Sequence, residues 1–115
     1  MVTVQKPVNI PAEGGKRIDE YFGRVSSGTA EVSIARMMAP PGWTEPPQQP
    51  EFNEYTVVLS GTLMVEVDGK TIPVGAGEAI LIPAGKRVRY SAPEGAEYVA
   101  VCVPAFAPEL AHREE

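Results

Sequence analysis

The sequence predicts an all-β fold, a sandwich or small barrel built from short strands. Three observations carry this. Short runs rich in β-branched and aromatic residues recur along the chain, such as Tyr55-Thr56-Val57-Val58-Leu59 and Thr62 to Val67. Twelve prolines and eleven glycines fall at intervals between the apolar runs, so they read as turns rather than as a disordered tract. Asp68-Gly69 lies between two such runs, a strong short-range signal for a type I′ hairpin.

Size and charge narrow the class. A chain of 115 residues is expected to form one domain with one core. A net charge of -5, with no basic stripe, argues against nucleic acid and anionic membrane surfaces as partners. Cys102 is the sole cysteine and forms no internal disulfide, which suits a reducing, cytoplasmic setting. No charged-then-apolar leader and no membrane-length apolar run is present, so neither a signal peptide nor a membrane span is expected.

The elements follow in order. Residues 1–15 alternate weakly and end in a Gly-Gly turn. They read as an edge strand, as an arm pairing with a second subunit, or as a loose terminus. Arg17 to Arg24 brings Ile18, Tyr21 and Phe22 towards an opening of the barrel. Ala30 to Ala39 is a strand whose parity groups Val32, Ile34, Arg36 and Met38. An arginine on that apolar face requires a carboxylate partner or an edge position in water. Gly42 to Gly61 is a proline-rich loop that becomes a strand at Glu54. Alternation then puts Glu54, Thr56 and Val58 on one face and Tyr55, Val57 and Leu59 on the other. Thr62 to Val67 and Lys70 to Val74 form the hairpin, and Glu78 to Ile82 is a short buried strand cut by Pro83. Lys86 to Ser91 alternates, with Lys86, Val88 and Tyr90 on one face. After a turn at Pro93-Glu94-Gly95, Glu97 to Val103 is an apolar strand suited to burial on both sides. The tail offers Phe106 and Leu110 as anchors; His112 reads as solvated, or as part of a segment folding over the barrel mouth.

Two spaced patterns give this chain a family resemblance. Gly42, five residues, Gln48-Gln49-Pro50, three residues, Glu54, six residues and Gly61 fit the first motif of the cupin superfamily. In that motif His-x-His stands where Gln48 and Pro50 stand here. Gly77, five residues, Pro83-Ala84-Gly85, two residues, Val88, three residues and Ala92 fit the second motif, with Val88 in the place of its histidine. The resemblance covers roughly residues 28–105. It implies a cupin-type β-barrel, a double-stranded β-helix of jelly-roll form, with Val88 and Tyr90 facing inward. It divides the chain into an arm (1–27), a barrel (28–105) and a tail (106–115). An acid ahead of a Val-Leu-x-Gly strand, a Pro-x-Gly turn without histidine and the Pro104-Ala105 ending are similar to the ethanolamine-utilisation Q-type cupins.

In most cupins three histidines and the glutamate hold a divalent metal. Carried over residue by residue, that set leaves only Glu54, with a weak carbonyl from Gln48. The expectation is no metal and no cofactor; a divalent ion, if any, would sit at Glu54 and Gln48. Glu45 and Glu51, nearby, read as solvated loop carboxylates or as sources of further oxygens for such an ion. In a metal-free barrel Glu54 becomes the reactive group, its pKa raised by apolar surroundings so that it serves as general acid or base. Gln48, Tyr90, Arg36, Met38 and Trp43 are the expected ligand-binding residues, with Trp43 read as packing anchor or platform. The competing reading of Glu54 is an ion pair with Arg36 or Lys86. Cys102 reads as inert core.

The expected function is small-molecule binding with metal-independent isomerase, lyase or cyclase chemistry at Glu54. The alternatives are a non-catalytic metabolite-binding cupin and a metal enzyme with atypical ligands. A homodimer is expected, through residues 1–15 or the face of Tyr55, Val57 and Leu59.

Overall fold

The computed structural model describes residues 2–115. Nine strands appear: β1 (Val8–Ile10), β2 (Arg17–Phe22), β3 (Ser33–Ala39), β4 (Trp43–Thr44), β5 (Asn53–Val67), β6 (Lys70–Gly75), β7 (Ala79–Ile82), β8 (Val88–Ala92) and β9 (Ala96–Val103). One short helix, α1 (Pro108–Ala111), follows. No helix among the described residues is long and apolar enough to cross a membrane.

β5 organises the barrel because it belongs to both of its layers. Its first half pairs antiparallel with β9 and β7, in the layer β1-β2-β3-β9-β5-β7. Its second half pairs with β6 and β8, and β8 carries β4. The strand changes layer at Gly61, beyond a register irregularity between Val58 and Ser60. A Cβ on Gly61 would lie 2.2 Å from the Gly95 carbonyl oxygen, and φ there is +72°. Only glycine fits both the backbone angle and the close approach. The sequence reading ends a strand at Gly61; the chain bends there and continues.

The expected hairpin is present, with Val67 opposite Lys70 and positive φ at Asp68 and Gly69. Glu54 to Val58 alternates as expected, with Thr56 and Val58 buried and Tyr55, Val57 and Leu59 exposed. Inward residues of β5, β8 and β9, among them Val58, Leu63, Val65, Val88, Tyr90 and Tyr98, pack with Trp43, Val74 and Ile82 into the main core. β7 is less buried than expected, since Ala79 and Leu81 are exposed. β9 is central but two-sided: Ala96, Tyr98, Ala100 and Cys102 are buried, while Glu97, Val99 and Val101 are half-buried.

One further expectation is corrected, and two open readings are decided. In β3 the inward residues are Ser33, Ala35 and Met37, so Arg36 and Met38 point to the outer face. Arg36 pairs there with Glu97 at 2.6 Å, the carboxylate partner its charge requires. The N-terminal arm supplies an edge strand on its own chain, with β1 paired to β2. The tail lies back on the barrel: Phe52 packs with Phe106 at 5.8 Å between ring centres and with Cys102, Ala111 and Leu110. Backbone bonds from Glu51 to Leu110 and from Glu114 to Pro47 hold the segment down.

Candidate functional site

One layer's inner face and the tail enclose a cavity of about 350 Å3. Its walls are mostly apolar, from Ile18, Ala35, Met37, Ala100 and Phe106, with polar groups converging from separate elements. β5 supplies Glu54, β8 supplies Tyr90, and β9 supplies Tyr98 and Cys102. The turn before β2 supplies Lys16, the proline loop supplies Glu45 and Gln48, and the tail supplies Arg113. This size and this mix of a few polar groups on apolar walls suit a small-molecule site.

Glu54 lies directly opposite Cys102 in the β5–β9 ladder. The Cys102 thiol points at Glu54 Oε1 across 3.8 Å, and the Thr56 hydroxyl donates to Oε2 over 3.4 Å. Burial drives the Glu54 pKa from its ordinary 4.5 up to about 7, and the negative charge of Glu45 adds to the rise. Lys16 and the Thr56 and Tyr90 hydroxyls oppose it without cancelling it. The Tyr90 hydroxyl is close enough to ease the charge on Glu54, yet it forms no hydrogen bond of normal geometry in a residue only 3% exposed. Burial, reinforced by the charge on Glu54, raises the Tyr90 pKa far above the usual phenol range, so the group stays protonated. Burial likewise pushes the Cys102 thiol up, which makes it a poor nucleophile.

Lys16 is the least expected member. Its side chain is 8% exposed, and its nearest carboxylate oxygen, on Glu45, is 3.9 Å away. Its ammonium sits 4.3 Å above the Trp43 ring and 5.6 Å from that of Tyr98. The turn brings it there because Gly14, at φ +73°, lies against the indole; a Cβ would stand 3.2 Å from Trp43 Cδ1. Burial lowers the Lys16 pKa, and Glu45 and Glu54 partly restore it. Burial also raises the Glu45 pKa, against the pull of Lys16 and Arg113.

Of the residues singled out from sequence, Glu54, Gln48 and Tyr90 line the cavity. Arg36 and Met38 do not, because β3 presents its other face inward. Trp43 is buried in the core and reaches the site only through the ring beneath Lys16. Glu54 pairs with neither Arg36, which is bound to Glu97, nor Lys86, which is bound to Asp68 at 2.9 Å. Glu45 is a cavity wall residue rather than a solvated loop carboxylate. Glu51 does lie on the surface, paired with His112. Cys102 is buried as expected, but it faces Glu54 rather than closed core. Sequence reasoning misses Lys16, Tyr98 and Arg113, and it leaves Glu45 to solvent. Parity offers a signal for Tyr98: counted back from Cys102, it shares the face that Ala100 and Ala96 leave roomy.

Among the described residues no group of three or more His, Cys, Asp or Glu side chains is arranged to hold a metal ion. At the motif's histidine positions, Val88 is 1% exposed core and Gln48 is joined to it by backbone bonds of 2.9 and 2.8 Å. The third position, Pro50, accepts a backbone bond from Gly85 at 2.8 Å. Glu54 and Gln48 alone do not fit the three-nitrogen, one-oxygen set.

Residues 35–104 match the family described as Cupin domain. Over 115 residues, 98% of this chain, the sequence is 50% identical to a Myxococcus xanthus protein named Endoribonuclease YbeY, and the match covers 39% of that protein. Over 54 residues it is 35% identical to Acetate kinase EutQ of Clostridioides difficile, covering 47% of this chain and 34% of that protein. The chain therefore spans about two-fifths or less of the length of the curated relatives it matches. A solved structure of a Streptomyces PAC13 variant with uridine superposes with a TM-score of 0.79, over 100% of this chain and 93% of that one, at 18% identity. That likeness shows a shared fold.

Proposed function

This chain belongs to the cupin family, and from that premise we propose that its barrel binds a small molecule and moves a proton at Glu54 without a metal. The observation that carries the reading is a cavity carboxyl whose pKa burial lifts to about 7, beside a phenol with no partner of its own. Near neutral pH such a carboxyl is divided between its acid and base forms, which suits general acid–base work. With a carbonyl ligand, Glu54 takes the proton from the carbon next to the carbonyl, and the electron pair moves onto the carbonyl oxygen. The Tyr90 hydroxyl, held protonated, donates a hydrogen bond to that oxygen. Return of the proton to a different carbon, or loss of a leaving group, gives isomerase or lyase outcomes. No step is routed through a metal, because the donor set does not fit one.

The test is deuterium uptake from D2O into small carbonyl compounds, followed by NMR. Exchange should rise with pH through a midpoint near 7 and vanish in Glu54→Gln. Undiminished exchange in that variant overturns the reading. So does one tightly held metal per chain that survives dialysis and is lost on the same substitution.

A second reading is favoured by the Myxococcus xanthus relative, in which a stretch 50% identical to this chain makes up two-fifths of a longer protein bearing an endoribonuclease name. Here the cavity binds a metabolite with no bond changed, and the barrel acts as a ligand-responsive module beside another activity. Saturable ligand binding by wild-type protein, with no exchange at any pH, decides for it. In either reading we propose that two copies pair through the exposed face of Tyr55, Val57 and Leu59.

A further inference from the structure

We infer that the cavity takes a small carboxylate whose charged end meets Lys16 and Arg113, while a carbonyl or hydroxyl oxygen further along meets Tyr90. This rests on the small-molecule reading of the cavity and names its ligand class.

The charges in the wall are unbalanced. Lys16 is buried, and among the described residues the one carboxylate within ion-pair reach is Glu45, at the long limit of 3.9 Å. The aromatic faces of Trp43 and Tyr98 beside it favour the ammonium form. Arg113 reaches the same cavity from the tail, its backbone bridged to Gln48. Its guanidinium forms no ion pair among the described residues. The like charges of the two cations oppose each other, and both act on Glu45. Glu54, divided between its acid and base forms near neutral pH, offsets this only in its ionised fraction. Glu20, a buried lining residue, is already bound to the amides of Val25 and Ser26 at 3.1 and 2.7 Å. Two cations sharing one carboxylate against apolar walls favour an anionic guest, and bidentate or charge-assisted bonds would fix its orientation.

Lys16, Arg113, Glu54 and Tyr90 line one cavity, and Arg113 is the exposed member of the four. An anion held by Lys16 and Arg113 leaves Glu54 and Tyr90 to meet the rest of the same ligand. The Tyr90 hydroxyl, buried and without a hydrogen bond of normal geometry, is free to donate to a ligand oxygen there. A volume of about 350 Å3 holds a metabolite-sized oxo or hydroxy acid and little more.

The experiment is ligand-observed NMR titration of the full chain with 2-oxobutanoate, 4-oxopentanoate and 5-oxohexanoate. Their amides and the matching plain alkanoates serve as controls. At least one oxo acid should bind saturably, with its amide about tenfold weaker or more. Lys16→Met should erase the preference for the acid over the amide. Arg113→Gln, on the exposed tail and so tolerant of change, should lower affinity for the acid and leave that for the amide. Tyr90→Phe should weaken the oxo acid and spare the plain alkanoate. Equal affinity for acid and amide, or a preference unchanged in both cation variants, overturns the inference. So does absence of binding at about 10 mM, well above ordinary metabolite affinities. Binding of the acids without deuterium exchange overturns only proton transfer at Glu54. Exchange on neutral carbonyl compounds with no preference for charge overturns only the carboxylate assignment.

Discussion

Replacing Glu54 with glutamine should stabilise the protein, and by an amount that depends on pH. Unfolded, the carboxyl ionises near its ordinary 4.5; folded, burial holds the proton until about pH 7. Between those values the native state binds more protons than the unfolded state, so stability falls as pH rises. Below pH 4.5 both states are protonated and no penalty exists; above pH 7 the full penalty is present. A midpoint moved this far, with the effects of Glu45 and Lys16 already included, corresponds to about 3 kcal/mol at most. Glutamine keeps the shape and an acceptor for the Thr56 hydroxyl and stays neutral throughout. For a chain of this size that gain raises the melting temperature by roughly 12 °C at most. Thermal melts at pH 4.5 and pH 8 read it directly. The variant should match wild type at the lower pH and exceed it at the higher. A variant less stable at pH 8 would show that Glu54 is held charged by a cation, and one equally shifted at both would show an effect independent of its ionisation; either result would end the burial argument.

Gly61→Ala should cost about 3 kcal/mol in urea unfolding, because it adds a collision with the Gly95 carbonyl to an unfavourable φ. Gly69→Ala, with a similar φ but open space around it, should cost only about 1 kcal/mol; equal losses would show that the close approach does not matter. Phe52→Ala, removing a 1% exposed ring beneath the tail, should cost roughly 3–5 kcal/mol and make the chain around Arg113 sensitive to trypsin; protection unchanged would mean that the tail is held by its backbone bonds alone. Light scattering should give about twice the 12.3 kDa chain mass, with Leu59→Glu returning it to one; a monomeric wild type would leave the outer face of β5 without the partner proposed for it.

The strands, the hairpin and the inward direction of Glu54 were legible because each is local. Asp68-Gly69 needs no distant partner, and β5 alternates around one buried and one exposed face. β3 misled the same reasoning. Two of its three larger apolar residues, Ile34 and Met38, lie on the outer face with Arg36, while Ser33, Ala35 and Met37 face in. Burial of bulk marks the inside only where the inside is filled, and here it must leave room for a cavity. The cation side of the site was hidden for another reason. Lys16 follows a Gly-Gly turn and Glu45 sits among prolines, both ordinary surface settings. What buries them is Trp43 and the tail, brought together over long sequence separations that no local pattern encodes.

The two motifs can now be given separate physical meanings in this chain. Their glycines serve the backbone: Gly61 lets β5 pass beneath Gly95, so the frame is required by the fold whatever the site contains. The positions that hold histidines in the family serve the loop instead, through the Gln48–Val88 backbone pair and the bond from Gly85 to Pro50. Glu54 is common to frame and site. Its closest polar neighbours are a hydroxyl at 3.4 Å and a thiol at 3.8 Å, and neither carries a charge to hold a carboxylate ionised. Lys16 lies beyond and is shared with Glu45, which interacts with it more strongly. Keeping the frame while changing the ligands therefore shifts Glu54 towards its protonated form. On our reading, a position that binds metal elsewhere in the family becomes here a neutral-pH acid facing a cationic wall.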